Sequence, residues 1–194
     1  MDEVFAKDYL HNELREVREV MVWKLDGLSE YDVRRPLTST GTNLLGMVKH
    51  LSVSEARYFG DVFDRRFSED LPLMDGTDTW VAPTESRTEI VGRYRAACAH
   101  ADRTIEALDL DAPGHVAWWP RPNVTLFNVL IHVLTETSRH AGHADILREQ
   151  VDGAVGFSPD SAADNSRGPE SWTAHRAKIE EAAQALRVLP GGPG

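Results

Sequence analysis

Residues 123–153, NVTLFNVLIHVLTETSRHAGHADILREQVDG, carry four ionisable groups at a spacing that brings them together. At about 100° per residue, His132, Glu136, His140 and His143 fall within a sector of roughly 80° on one helix face. Leu126, Leu130, Val133, Leu134, Ala141 and Ala144 form an apolar arc beside that stripe, so the ionisable groups border the buried side instead of lying opposite it. A solvated helix face normally carries Lys, Glu and Gln, and a core face carries none of these. Glu136 and His140 are one turn apart, which lets their side chains grip a common ion. Imidazole and carboxylate are the ligands that a borderline divalent metal prefers. The same residues also fit a plainer reading: Glu136 with Arg139 or His140 is an ordinary helix pair, and most histidines beside a core are hydrogen-bonded and inert. A metal site needs a third ligand from another element.

The rest of the chain supplies elements to hold one. Phe5, Tyr9, Leu14, Val17, Met21 and Leu25 recur at three and four, which predicts a helix over about 3–26 with His11 facing solvent. The segment SEYDVRRPLTSTG is turn-like through Pro36 and Gly41, and Thr42 is placed to cap a helix over about 43–67. On that helix His50 lies at the margin of the apolar arc formed by Leu44, Met47, Val48, Leu51, Phe59 and Val62. Glu55 lies within the arc, where an unpaired carboxylate is costly, so it needs a partner such as Arg148 or a ligand's supporting shell. Residues 68–83 read as a long surface connection with Trp80 anchored on apolar surface. Ser86 and Glu89 make a capping box for a helix over about 87–108. Trp118 and Trp119 lie in a stiff, proline-rich approach to the helix at about 124–152, one expected to plug the end of the fold and one to wall a pocket. A last helix follows over about 170–188.

These elements predict an all-α protein, a four-helix bundle with an additional C-terminal helix, in one domain over 1–190 with a disordered tail at 191–194. Bundle sites are built from inward side chains on facing helices, so the second and fourth helices can bring His50 opposite Glu136 and His140. Three protein ligands with open positions describe a catalytic metal site rather than a structural one. The carboxylate–histidine spacing is Glu-x-x-x-His, which does not suit a di-iron centre built on Glu-x-x-His, and the His-Glu-x-x-His protease helix does not occur. The net charge of −10 argues against a nucleic-acid surface or an anionic membrane, and no apolar run suggests a span or a signal peptide. A cytoplasmic protein is the expectation. The single cysteine, Cys98, excludes an internal disulfide and reads as a small buried hydrophobe.

NLLGMVKHL in the second helix, AWWP before the fourth and ETSRHAGHADILRE within it together resemble the DinB superfamily. More narrowly, the chain is similar to an actinobacterial DinB-like branch grouped with mycothiol-dependent transferases and maleylpyruvate isomerase. The resemblance implies one divalent metal, zinc or nickel, held by His50, Glu136 and His140; glutamate stands where many members have histidine. His143 and His132 are then proton-relay or ligand-supporting residues. The activity implied is transfer of a low-molecular-weight thiol, mycothiol, to a small electrophile, in a monomer or homodimer. Arg57, Arg121 and Arg139 are the candidate grips on the thiol. The alternatives are a thiol-dependent isomerase or hydrolase, and a non-catalytic metal-binding stress-response bundle.

Overall fold

A computed structural model describes residues 3–69, 71, 79–159, 161 and 168–187. Contacts group the chain into two compact units, Met1–Phe157 and Ser158–Gly194. The first contains helices α1 (Glu3–Trp23), α2 (Glu30–Arg34), α3 (Leu44–Phe59), α4 (Arg87–Ala107) and α5 (Leu126–Asp152), and a two-stranded antiparallel ribbon of Pro113–His115 with Asn123–Thr125. The second contributes the helix Pro169–Arg187, on which Trp172, Ile179 and Leu186 recur; the tail 191–194 lies outside the described residues. The fold is all-α, as the apolar periodicities require.

Helix α3 is the central rod. Every one of its residues apart from His50 and Arg57 is buried, because α4 and α5 both pack on it. Its start is fixed by Asn43, whose side chain accepts from the Gly46 amide at 2.8 Å, one residue beyond the Thr42 that the sequence favoured. Its end falls at Phe59 and not near 67. Gly60 lets the chain turn away, a short 3-10 turn at Asp61–Phe63 follows, and Asp64 takes a left-handed conformation with φ 54°. Val62 within that turn and Phe67 on the irregular backbone after it pack into the core, which helical spacing alone does not distinguish from a continuing helix.

The expected caps of α4 form: the Ser86 hydroxyl accepts from the Glu89 amide at 3.1 Å and the Ser86 amide donates to the Glu89 carboxylate at 2.9 Å. Helix α5 begins with the Thr125 amide donating to Asn128 Oδ1 at 3.0 Å and ends at Gly153, whose φ of 79° suits a residue without Cβ. The ribbon before α5 brings Gly114 so close to Val62 and Phe63 that a Cβ there would stand 2.7 Å from the Phe63 ring. Strands of three residues are too short to leave a period in the sequence.

Two expectations about polar residues are corrected where α1 faces α3 and α4. His11 is buried, with Nε2 2.7 Å from an Asp102 carboxylate oxygen, and does not face solvent. Glu55 is paired with Arg18, whose Nε and Nη2 donate to its two oxygens at 2.7 and 2.6 Å. Arg148 instead holds Asp152 and the carbonyls of Trp23 and Lys24. Both side chains of the Arg18–Glu55 pair are almost fully withdrawn from solvent. Burial works against the charged guanidinium, yet the facing Glu55 carboxylate outweighs it and holds the Arg18 proton more tightly than usual. Arg18 Nη1 also donates to Asp102 at 2.6 Å, so one guanidinium ties α1 to α3 and α4 together.

Removing one partner of a buried ion pair strands the other. Arg18→Ala should cost about 3–5 kcal/mol in urea unfolding, while Arg18→Met with Glu55→Met should recover most of that loss. A single-variant loss below about 1 kcal/mol would show that the pair does not hold the bundle.

Candidate metal centre

Helices α3 and α5 run antiparallel across the site, so Tyr58 meets His132 and, two turns earlier on α3, His50 meets Glu136. His50 Nε2 stands 3.2 Å from Glu136 Oε1, and His140 Nε2 stands 4.0 Å from the same oxygen. The His50 and His140 rings lie edge to face with centroids 5.2 Å apart. One donor atom from each of the three residues can be chosen so that all lie within 4.8 Å of one another. Ligands placed about 2.0–2.2 Å from a tetrahedral zinc stand roughly 3.4 Å apart, so small rotamer adjustments close this set on one ion. The side chains are 15, 22 and 23 % exposed for His50, Glu136 and His140, which is the partial burial of a site open on one side.

Electrostatics prepare two of these three groups. Hydrogen bonds from His132 and His50 outweigh burial and hold the Glu136 carboxyl down to about 2, so it is ionised throughout the physiological range. Burial, with help from His50, lowers the affinity of His140 for a proton and keeps its imidazole neutral, the form that binds metal. His140 Nδ1 is buried and has no hydrogen-bond partner among the described residues. Two imidazoles converging on one ionised carboxylate, with His140 Nε2 the nitrogen turned towards Glu136, form a donor set that a divalent cation with nitrogen and oxygen preference fits.

The other two histidines of the stripe have different surroundings. His132 Nε2 lies 3.3 Å from Glu136 Oε2, so it touches the oxygen turned away from His50. Its ring packs against Tyr58 and Trp119 at centroid distances of 4.8 and 4.6 Å. His143 is exposed, 5.8 Å from the His140 ring, and borders a cavity of about 340 Å³ that also touches His50 and His140. None of Arg57, Arg121 and Arg139 lines that cavity; Arg57 borders a separate one with Asp61 and Arg66. Trp119 is partly buried and its indole N–H donates to the Tyr58 hydroxyl at 3.3 Å, while Trp118 is half exposed with its ring 5.7 Å from Tyr58. The two tryptophans thus divide into one packed and one presented side chain. Trp80, expected to be anchored, is 66 % exposed, its carbonyl held by Lys49 instead.

Of the residues around the cavity, the histidines are marked by their spacing, whereas Thr40, Thr42, Asn43 and Thr79 carry no signature in the sequence. Tyr58 follows His50 by eight residues, a little over two turns, which puts both on one margin of the helix. Cys98 is partly buried beside Tyr94, and burial pushes its thiol well above the usual range, consistent with an unreactive side chain.

Fold and geometry define a helical bundle with an open, three-donor site of metal-ligand type. Residues 9–153 match the family model described as Mycothiol-S-transferase, and the chain belongs to that DinB-like family, which is linked to mycothiol-dependent transferases. No curated protein matches the chain. No described helix is long and apolar enough to cross a membrane.

The arrangement gives a titration result to look for. In metal-free protein the His140 ring should titrate below the ordinary 6.5, and Glu136→Gln should move its midpoint lower still, because it removes the negative charge that favours the imidazolium. Proton NMR of the ring hydrogens measures both. An unchanged midpoint in the variant would show that Glu136 does not act on this ring.

Proposed function

We propose that this chain is a divalent-metal-dependent transferase that uses His50, Glu136 and His140 as metal ligands to activate mycothiol for attack on a small electrophile. The observation that carries the reading is the convergence of two imidazoles and one carboxylate, from two helices, within 4.8 Å in a chain of this family. The donor set suits zinc or nickel. A divalent cation held there supplies the Lewis acidity that lets a thiol ionise near neutral pH.

The chain's own residues do the rest. His132 holds the second oxygen of Glu136 and thereby directs the first towards His50 and His140. Exposed His143, at the cavity beside His140, is placed to pass the proton released by the thiol to solvent. Trp118, with Tyr58 and Trp119 behind it, gives an apolar electrophile a flat surface to lie on. The thiol S–H loses its proton, sulfur forms a bond to the electrophilic carbon, and the leaving group departs with the electron pair of the bond that breaks. A stable thioether is the product, which separates transfer from thiol-dependent isomerisation or hydrolysis.

His50→Ala and His140→Ala should each lose bound metal by elemental analysis. Their thiol-transfer rates should fall by more than the roughly 10–100-fold typical of losing a group that only supports a ligand. Full metal content in both variants would remove this site. Mass spectrometry of the wild-type reaction should show the thioether, and regenerated free thiol with an isomerised or hydrolysed product would replace transfer by the other chemistry.

A further inference from the structure

The seam between α1 and α4 contains a cavity of about 300 Å³ that has no part in the metal centre. Every residue lining it belongs to one of these two helices, whereas the three donors stand on α3 and α5. Its deep residues are Arg18 and Tyr94, 3 and 1 % exposed. Val22, Cys98 and Ala99 give it an apolar wall, and exposed Glu19 and Arg95 border its mouth. A cavity of this size lies at the lower end of ligand pockets and admits one ring with a short polar group.

At depth the cavity has donors to spare and no acceptor for them. The Tyr94 hydroxyl is withdrawn from solvent and makes no hydrogen bond to an oxygen or nitrogen among the described residues; its polar neighbour is the Cys98 thiol, a weak partner. Of the five N–H groups of Arg18, Nε and one on Nη2 donate to Glu55 and one on Nη1 donates to Asp102. The other two, one on each Nη, have no partner among the described residues. The nearby acceptors are already engaged. Both Glu55 oxygens hold Arg18, Asp102 Oδ1 is bonded to His11 and Arg18, and Asp102 Oδ2 accepts from Arg15. A buried hydroxyl left in this state is costly and calls for a partner from outside the chain.

Charge decides which acceptor fits. In the lining Arg15, Arg18 and Arg95 face Glu19 and Asp102, with Glu55 behind Arg18, so cations and anions balance before a ligand enters. Arg95 makes no ion pair among the described residues. An ammonium group would meet Glu19 at the mouth but no unengaged acceptor at depth. A carboxylate would take the Tyr94 hydroxyl and the two remaining Arg18 N–H groups in charge-assisted bonds, and its apolar body would lie on Val22, Cys98 and Ala99. We propose that the α1–α4 cavity binds a small apolar carboxylate, whose charged group accepts from Tyr94 and Arg18 and is attracted by Arg95. Arg18 also holds Glu55 on α3, so a ligand here fastens three helices together and stabilises the folded chain without touching His50, Glu136 or His140.

Cys98 is the single cysteine of the chain and stands on the cavity wall, so its labelling reports occupancy. The full chain, free of metal, is titrated with benzoate by calorimetry, and the rate at which methyl methanethiosulfonate labels Cys98 is followed alongside. Benzoate should bind with a Kd of about 1 mM or below and at saturation slow the labelling at least about fivefold. Benzamide, which has the same shape without the charge, should bind at least about tenfold more weakly, and benzylamine should leave the labelling rate unchanged. Tyr94→Phe should weaken benzoate about tenfold and yet unfold at the same or a higher urea concentration than wild type, because the hydroxyl it removes has no strong partner within the chain. Neither heat nor protection with benzoate, equal affinity for benzamide, protection by benzylamine, or undiminished affinity in Tyr94→Phe would each overturn the proposal. Both readouts need neither metal nor thiol, so their outcome is independent of the reading of the metal centre.

Discussion

The Glu136 carboxylate is shared between two helices and two turns of one of them. One oxygen faces His50 across the α3–α5 seam at 3.2 Å and the other faces His132 at 3.3 Å. Because both oxygens are engaged, the plane of the carboxylate is set, and with it the point at which His140 can join. In the proposed role the arrangement would also couple metal binding to protons. In metal-free protein, imidazole N–H groups satisfy the carboxylate; a cation placed among the same atoms takes over that role and requires the ligating nitrogens to be free of protons. A site of this kind tightens as pH rises through the histidine range and releases its ion in acid.

A second set of polar contacts ties the scaffold together away from this site. Arg18, Glu55, Asp102 and His11 form a buried polar network between α1, α3 and α4, and Arg15 extends it to the surface with bonds to Asp102 and Glu106. Asp102 is held well below the ordinary carboxylate range: burial alone would raise it, but His11 and Arg18 outweigh that. Glu55 and His50 lie on the same central helix and face different neighbours, one completely paired inside the core and one at the edge of an opening. That contrast is why His50, and not Glu55, belongs to the candidate site. Burial of both flanks of α3 leaves its register against α5 little freedom, so the donors need no flexible loop to place them.

Much of this was legible from spacing. Four helices, the capping box at Ser86 and Glu89, and the juxtaposition of His50 with Glu136 and His140 all follow from period 3.6 and from histidines at the margin of apolar arcs. Partners of buried charges were not legible. Arg18 lies 37 residues from Glu55 and Asp102 lies 91 from His11, and nothing local marks either pair. His11 seemed solvent-facing because it lay off the α1 apolar stripe, but a stripe records burial against apolar neighbours and misses a face buried by ion pairs. The apolar spacing overruns the end of α3 for a similar reason: Val62 is a core residue supplied by a turn and Phe67 one supplied by the irregular backbone after it. The cavity wall at 40–43 and 79 joins segments whose residue types are ordinary loop composition, and only their tertiary approach at Gly46 gives them meaning.

The central claim is that three side chains from α3 and α5 share one ion and leave a position for sulfur. X-ray absorption at the metal edge of zinc-loaded protein, with and without mycothiol, addresses it most directly. The expected result is two imidazoles and one carboxylate oxygen, joined on addition of thiol by a single sulfur at about 2.3 Å. A shell with one imidazole or none, or one that thiol leaves unchanged, would contradict it.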